Sequence, residues 1–160
     1  MTPPCMFTTR HPVLLAIVHP MQVEINPYIT RTELAKYCRE HGIAVQAYSP
    51  LAKAQRMSDP PLVAMAAKYQ LTPAQIMIRW CLQRGYIVIP KCACTAAPFA
   101  IELLIVSHHA SLVYARRSVT PARIEANARL GDVDISEVDM AALDALDCYL
   151  VTGWDPTKDP

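Results

Sequence analysis

The chain has 160 residues, of which 52% are hydrophobic and 18% are charged, and its formal net charge at pH 7 is +1. This length allows one ordinary domain with its own hydrophobic core. Basic and acidic residues are interspersed along the chain, which argues against a polycationic face for nucleic acid or for an anionic membrane surface.

The first 21 residues, MTPPCMFTTRHPVLLAIVHPM, form a leader that we tested for an export signal. Its apolar stretch, 13–18, is shorter than the roughly 7–15 residues of a signal core, and no A-x-A-like cleavage site follows. The later apolar run, 100–115, falls short of the ~20 residues that span a bilayer. Six cysteines at irregular spacing favour reduced thiols over a disulfide scaffold. We expect no transmembrane segment and a cytoplasmic location.

A strand, a helix and a second strand are predicted after the leader. Residues 22–25 alternate polar and apolar side chains before an Asn-Pro pair, which is typical of a short strand entering a loop. We expect Thr32 to cap the helix and Gly42 to end it in a left-handed conformation. Residues 43–48 are apolar nearly throughout, as in a parallel strand covered on both faces. This order predicts a βαβ unit with a right-handed crossover.

Two helices and a third strand are predicted next. Asp59 and Thr72 each precede a proline, which favours a capped helix start with proline in the first turn. Gly85 ends the second of these helices, and residues 86–89 have the composition of a buried strand. Strands that alternate with helices predict an α/β fold with parallel pairing.

The C-terminal part is predicted to be helical. Thr120, followed by proline, opens a helix that runs to about Leu130. Ser136 and Asp139 resemble a capping box for a last helix that extends to Asp147. The predicted order of the whole chain is therefore β, α, β, α, α, β, α, α.

Three segments, QVEINPY, GIAVQAYSPLA and LVTGWDPT, resemble the aldo-keto reductase family. The resemblance covers residues 22–91 and 118–160 and implies NADP(H)-dependent reduction of aldehydes or ketones on a (β/α)₈ barrel. A complete barrel of this kind typically needs about 250 residues. The implied fold class is therefore α/β, a partial (β/α)₈ TIM barrel corresponding to its C-terminal half, with three parallel strands and their helices.

The resemblance carries cofactor-binding roles to four residues, of which Tyr48 and Ser49 stand where a strand gives way to its loop, the place where ligands of parallel β/α folds bind. It implies that the Tyr48 ring stacks on the nicotinamide and that Gln22 bonds its carboxamide. Ser49 and Leu51 would contact the pyrophosphate region. A flat ring suits a flat heterocycle, and a neutral amide orients it without titrating. The alternative is a strand-end tyrosine that only packs.

A second group of residues would form the family's IPKS-x-TP-x-RI-x-x-N signature if residues 92–117 were removed. The helix start would offer N–H groups to an anion, and Lys and Arg would add charge for the 2′-phosphate that distinguishes NADP from NAD. Ala126 stands where the family often has an acidic residue, so the adenine contact departs from the pattern. An ordinary helix flanked by basic residues is the alternative. The implied binding residues are Lys91, Ser118, Val119, Thr120, Arg123 and Asn127.

Two stretches do not match the family pattern: a divergent leader, 1–21, and an insertion at 92–117. The remaining part of 22–160 is predicted to be a partial reductase domain that this insertion interrupts. We hypothesise a retained intron or a gene-model error, which transcript sequencing would test. The apolar run 101–106 is expected to be misplaced filler or a poorly packed helix.

The insertion also contains thiol and imidazole groups, which are ligands that zinc prefers. Cys92 and Cys94 form a C-x-C pair, and His108 and His109 are adjacent. This spacing matches no common structural zinc site, and neighbouring histidines in a strand point to opposite faces. No metal site is predicted.

Catalysis in the family uses a tyrosine acid supported by lysine, aspartate and histidine, all from segments before the sixth strand. None of the matching residues supplies them, and Tyr28, Lys36, Tyr37 and His41 do not lie at motif positions. We therefore assign no catalytic residue and expect the chain to be inactive alone, although the full-length family acts on small carbonyl substrates. The alternative is a non-catalytic product that binds nucleotide or pairs with another barrel chain through exposed strand edges.

Overall fold

The computed structural model describes residues 20–90, 130 and 133–155, together with the backbone of residues 101–104 and 113–116. Short strands and helices alternate through this part of the chain, as the sequence predicts. None of its helices has the length and hydropathy of a bilayer-spanning segment. The elements are β1 (Met21–Glu24), α1 (Thr32–Glu40), β2 (Val45–Tyr48), a 3₁₀ turn (Ala52–Ala54), α2 (Pro60–Tyr69), α3 (Pro73–Gln83), β3 (Ile87–Ile89), β4 (Ile101–Leu104), β5 (Val113–Arg116) and α4 (Glu137–Asp144).

The strands form one sheet in the order β1, β2, β3, β5, β4. β1, β2 and β3 are parallel neighbours, which confirms the predicted partial α/β barrel with three parallel strands. In the register, Glu24 lies opposite Tyr48, and Tyr48 lies opposite Ile89. The carboxyl ends of the three strands therefore meet at one edge of the sheet, which we call the carboxyl edge.

The segments 101–104 and 113–116 extend this sheet. β5 pairs in parallel with β3 through Val88 and Val113, and β4 pairs antiparallel with β5. The expectation of a helix at 101–106 is wrong for its first four residues, which form β4, because short apolar runs do not distinguish strand from helix by periodicity. An open strand edge also favours a further strand that satisfies its N–H and C=O groups. The foreign origin of 92–117 stays a prediction.

The two faces of the parallel strands differ in their surroundings. Val23, Ala47 and Val88 point to one face and belong to the buried core. Helix α3 packs on the same core, since Ile76 and Trp80 are both buried. The opposite face of the strands carries mainly polar side chains, and it leads directly to the carboxyl edge.

The start of α1 differs from the prediction. Arg31, with φ 50°, occupies the N-cap position without a capping side chain. Thr32 is the first helical residue, and its hydroxyl group lies 2.9 Å from that of Thr30. Thr30 is itself held by Asp147 of the C-terminal segment, a non-local contact that local capping rules do not include. Gly42 has φ 66°, so the predicted left-handed stop is confirmed.

The starts of α2 and α3 follow the predicted positions with different chemistry. Asp59 occupies the N-cap of α2, but no cap hydrogen bond forms, and its carboxylate accepts a 2.8 Å bond from the Tyr28 hydroxyl. Thr72 and Gln75 form a complete capping box on α3. Gly85 follows α3 with φ 80°, as predicted.

The last helix begins as predicted and ends earlier. The Ser136 hydroxyl accepts a 3.3 Å bond from the Asp139 N–H, while the Ser136 N–H donates to the Tyr69 hydroxyl. Only half of the expected box therefore forms, and α4 ends at Asp144. The predicted helix at 120–130 lies outside the described residues, except for Leu130, which is buried.

Candidate functional site

The polar face of the sheet places two predicted cofactor residues together. Gln22 and Tyr48 point to the same face, because Glu24 lies opposite Tyr48 in the register and Gln22 lies two residues before Glu24 on β1. Gln22 is exposed, and Tyr48 is half-buried at the end of β2. One register step of two residues, about 7 Å, separates their levels along the strands.

Tyr48 is held by the C-terminal segment. Its hydroxyl group donates a 3.3 Å bond to the carbonyl of Trp154. Burial raises the pKa of Tyr48, and the neighbouring Glu24 charge raises it further. The side chain is therefore a neutral, oriented ring at neutral pH.

Ser49 and Leu51 follow Tyr48 and have different surroundings. Ser49 is half-buried with φ 48°. Its carbonyl accepts a 3.2 Å bond from the Asn26 side chain, whose oxygen accepts a 3.0 Å bond from the Tyr28 N–H. Leu51 packs against the hydrophobic core. Ser49 is thus fixed at the carboxyl edge, whereas the observed contact of Leu51 is packing.

The loop after Ser49 contains a run of left-handed residues. Ala52, Lys53 and Ala54 have φ values of 46°, 48° and 62°. Residues other than glycine adopt this conformation at a cost of roughly 1–2 kcal/mol each. Lys53 donates a hydrogen bond to the carbonyl of Thr152, which connects this strained loop to the C-terminal segment.

Sequence reasoning missed Glu24. Its side chain is 1% exposed, and its carboxylate accepts bonds of 3.1 Å from the Thr152 N–H and 3.2 Å from the Gly153 N–H. The Thr152 hydroxyl also donates to it. The signal was present in the QVE motif, because period-two alternation places its third residue on the face of the first.

The C-terminal segment is also tied to the loop after β1. The Asp147 carboxylate accepts bonds from the Thr30 N–H at 3.0 Å and from its hydroxyl at 2.5 Å. Burial acts to raise the pKa of Asp147, but the Thr30 and Tyr149 hydrogen bonds outweigh it and lower the pKa. The Tyr28 carbonyl accepts hydrogen bonds from the N–H groups of Cys148 and Leu150. Hydrogen bonds to the loop after β1 therefore hold the C-terminal segment where it crosses the carboxyl edge.

Arg31 adds a cationic contact to this crossing. Its guanidinium lies 4.8 Å from the centroid of the Tyr149 ring and donates a 2.9 Å bond to the hydroxyl of that residue. It also lies 3.8 Å from the Asp155 carboxylate. The left-handed N-cap of α1 therefore coincides with an arginine that contacts both ends of the segment 149–155.

The second predicted set of cofactor residues lies outside the described residues. Nothing in the described ranges therefore tests those roles. Among the residues that the structure describes, no group of three or more histidine, cysteine or acidic side chains is arranged for a metal ion. The cysteines and histidines of 92–117 also lie outside this set. The six residues concerned are Lys91, Ser118, Val119, Thr120, Arg123 and Asn127.

The sequence profile of the Aldo/keto reductase family matches residues 16–148. The chain belongs to the aldo/keto reductase family. An uncharacterized oxidoreductase of Schizosaccharomyces pombe is 34% identical over 150 residues, which are 94% of this chain and 44% of that protein. Aldo-keto reductase family 1 member A1 of Sus scrofa is 35% identical over 136 residues, 79% of this chain and 34% of the relative.

Two solved structures resemble the fold. The apo form of Gox0644 superposes with a TM-score of 0.65 at 29% identity, over 84% of this chain and 41% of that one. A Gox0644 variant in complex with NADPH gives a TM-score of 0.66 at 28% identity, over 87% and 42%. The chain spans less than half the length of these relatives. The leader boundary at residue 21 and the insertion at 92–117 stay predictions.

Proposed function

We propose that the carboxyl edge binds the nicotinamide end of NADP(H), with Tyr48 against the ring and Gln22 toward the carboxamide. The observation that carries this proposal is the position of both side chains on one face of adjacent parallel strands, beside the edge where such folds bind ligands. NADPH occupies the related Gox0644 variant, which supports the choice of cofactor.

The residues of the carboxyl edge suit this ligand chemically. Tyr48 is neutral and fixed through its hydroxyl group, so it offers a ring without a competing charge. Gln22 is exposed and offers an amide donor and acceptor. The cofactor, when bound, supplies a hydride to a carbonyl carbon. The protein's part at this edge is to bind and orient the nicotinamide.

The other end of the cofactor would use the second predicted set. We propose that Lys91 and Arg123 bind the 2′-phosphate, with Ser118, Val119 and Thr120 at a helix start and Asn127 toward the adenine. Cations and free N–H groups together favour a phosphate-bearing cofactor over NAD. Preference for NADPH over NADH in a binding assay would support this assignment.

We further propose that these 160 residues do not reduce carbonyl compounds alone. The Tyr28 hydroxyl donates to Asp59, and burial and this hydrogen bond raise its pKa far above neutrality. The Tyr48 hydroxyl donates to a backbone carbonyl, and its pKa is raised as well. General acids work best with a pKa near the working pH, and their loss typically lowers the rate by ~10²–10⁴. We propose the reduction of small aldehydes or ketones only for a full-length protein of this family.

Self-association is a second candidate function. β1 lies at one end of the described sheet, and Met21 on it is 41% exposed. Unpaired strand edges favour pairing with another chain. Light scattering across a concentration series tests this, since a monomer at every concentration would exclude it.

Titration with NADPH tests the cofactor proposal. Wild type, Tyr48→Ala and Tyr48→Phe are compared by NADPH fluorescence, with a small aldehyde added to the same samples. We expect Tyr48→Ala to weaken binding by about tenfold, since stacking of this kind is worth roughly 0.5–1.5 kcal/mol. Tyr48→Phe keeps the ring and is expected to bind within a few-fold of wild type. Equal affinity of wild type and Tyr48→Ala would overturn the site, and turnover by wild type would overturn the inactive assignment.

A further inference from the structure

We propose that Glu24 is a positioning residue that anchors the segment Thr152–Trp154 beside Tyr48 and so determines where Trp154 stands at the site. This role rests on the proposed function only for the identity of the ligand. The anchoring itself rests on contacts of the described residues.

The Glu24 carboxylate lies between the Tyr48 strand end and the C-terminal segment that it binds. It ends β1 opposite Tyr48 in the register, and it is buried. The Thr152 N–H, the Thr152 hydroxyl and the Gly153 N–H all donate to it. A buried carboxylate is costly unless hydrogen bonds satisfy it, and here donors 128 and 129 residues later in the chain do so. The burial of Glu24 and the position of the segment are therefore coupled.

Thr152 is held from a second side as well. Its carbonyl accepts a hydrogen bond from Lys53, in the left-handed loop after β2. The N–H and hydroxyl groups of this residue thus have Glu24 at the end of β1 as their partner, and its carbonyl has Lys53. These hydrogen bonds hold the backbone of Thr152 in one position. They therefore also restrain the position of the next residues, Gly153 and Trp154.

Gly153 brings the backbone against the tyrosine ring. A Cβ atom at this position would lie 3.4 Å from both Cε2 and the hydroxyl oxygen of Tyr48, and 3.7 Å from a Glu24 carboxylate oxygen. These are ordinary van der Waals distances, so the backbone of the segment passes directly beside the ring. The next residue, Trp154, accepts the Tyr48 hydroxyl bond at its carbonyl and leaves its side chain 63% exposed. Glu24 therefore places the backbone of Trp154, which carries an exposed indole, beside the tyrosine proposed to contact the nicotinamide.

Hydrogen exchange tests the anchor without a ligand. Full-length wild type, Glu24→Gln and the exposed control Glu33→Gln are compared by amide exchange at Thr152 and Gly153. Glutamine keeps the shape but replaces an anionic acceptor with a group that also carries N–H donors. We expect exchange at both amides to rise by about tenfold or more in Glu24→Gln, which corresponds to ~1.4 kcal/mol, and to stay at wild-type rates in Glu33→Gln. Wild-type rates at both amides in folded Glu24→Gln would overturn the proposal.

A second variant covers the case in which Glu24→Gln fails to fold. Thr152→Val removes one of the three donors at the partly exposed end of the contact and leaves the core intact. We expect the same local rise in exchange at residues 152 and 153, with unchanged far-UV circular dichroism. Unchanged exchange in this variant would overturn the proposal.

Fluorescence of Trp154 separates positioning from stability. The signal of Trp154 is obtained by subtracting the spectrum of Trp154→Phe, which leaves the buried Trp80. With saturating NADPH, we expect strong quenching of Trp154 in wild type and weaker quenching in Glu24→Gln, although the cofactor's own fluorescence shows that it is bound. Wild-type quenching in Glu24→Gln would overturn the positioning role. If NADPH binds neither protein, the proposed function fails, and the exchange experiment still decides the anchor.

Discussion

The side chain of Asn26 donates a 3.2 Å hydrogen bond to the backbone carbonyl of Ser49, 23 residues later. Asn26 is fully buried, and its side-chain oxygen accepts the Tyr28 N–H. One amide thus joins the loop after β1 to the loop after β2. Both loops meet at the carboxyl edge, where the proposed cofactor site lies.

Replacing Asn26 by alanine is expected to destabilise the protein by roughly 1–3 kcal/mol, because the Ser49 carbonyl and the Tyr28 N–H would lose their partner. Urea unfolding followed by circular dichroism measures the change. Gln55→Ala, an exposed amide in the neighbouring loop, serves as the control and should stay within about 0.5 kcal/mol of wild type. Equal midpoints for the two variants would contradict the bridging role of Asn26.

Acid unfolding should depend on Asp139. Hydrogen bonds from Lys68, Tyr69 and Ser136 lower the pKa of Asp139 from 3.8 to about 2. A carboxyl group with a lowered pKa in the folded state stabilises the protein above its unfolded pKa, and this contribution disappears as the pH falls from near 4 through about 2. In Asp139→Asn, the difference in urea midpoint from wild type should be full at pH 6 and vanish near pH 2. Glu137→Gln, an exposed change on the same helix, is the matched control measured at the same two pH values.

The capping box of α3 provides a local stability test. Thr72→Ala removes the acceptor of the Gln75 N–H and the group that fixes the Gln75 side chain. We expect a loss of about 1 kcal/mol in the free energy of unfolding. Ser58→Ala, at an exposed loop position, is the matched control and should change stability by less than about 0.5 kcal/mol. A Thr72→Ala protein as stable as this control would exclude an energetic role for the box.

The turn after α3 requires glycine for backbone reasons alone. Gly85 has φ 80°, and an added Cβ would meet no atom within 4 Å. Gly85→Ala is therefore expected to destabilise the protein by about 1 kcal/mol through left-handed strain, with no packing change. Thermal unfolding measures the effect. Gly85→Asn, which tolerates this conformation better, should recover part of the loss.

Thiol reactivity should follow burial. Cys38 and Cys81 are buried, and burial raises the pKa of the Cys81 thiol. Cys148 is exposed in the C-terminal segment. Because the thiolate is the reactive form, iodoacetamide should label Cys148 in the folded protein and the other two only after unfolding. Peptide mass spectrometry reads each site separately, and rapid labelling of Cys81 under native conditions would contradict the packing of α3.

Much of the fold followed from local pattern. The three parallel strands, the starts of α2 and α3, and the glycine stops at residues 42 and 85 depend on alternation, capping residues and backbone freedom, all of which act within a few residues. The prediction at Thr32 was wrong because Thr30 is engaged by Asp147, 117 residues later. Local rules do not contain that contact.

The residues of the candidate site also fall into those that the sequence predicts and one that only the structure identified. The sequence predicts cofactor roles for Gln22, Tyr48 and Ser49 because these residues stand in family motifs, and those roles stay predictions. Glu24 was missed because its importance depends on donors supplied by Thr152 and Gly153. Alternation indicated the face of the sheet to which Glu24 points, and only the folded chain identified what meets it there.

The amino-acid sequence by itself determined the family and the alternation of strands and helices, and it indicated the edge of the sheet at which we propose that the cofactor binds, because short-range backbone preferences and motif spacing carry that information. Only the tertiary structure decided that β4 and β5 extend the sheet and that the C-terminal segment crosses the carboxyl edge on Glu24. Such contacts depend on hydrogen-bond donors and acceptors that are distant in the chain and must be satisfied together once water is excluded.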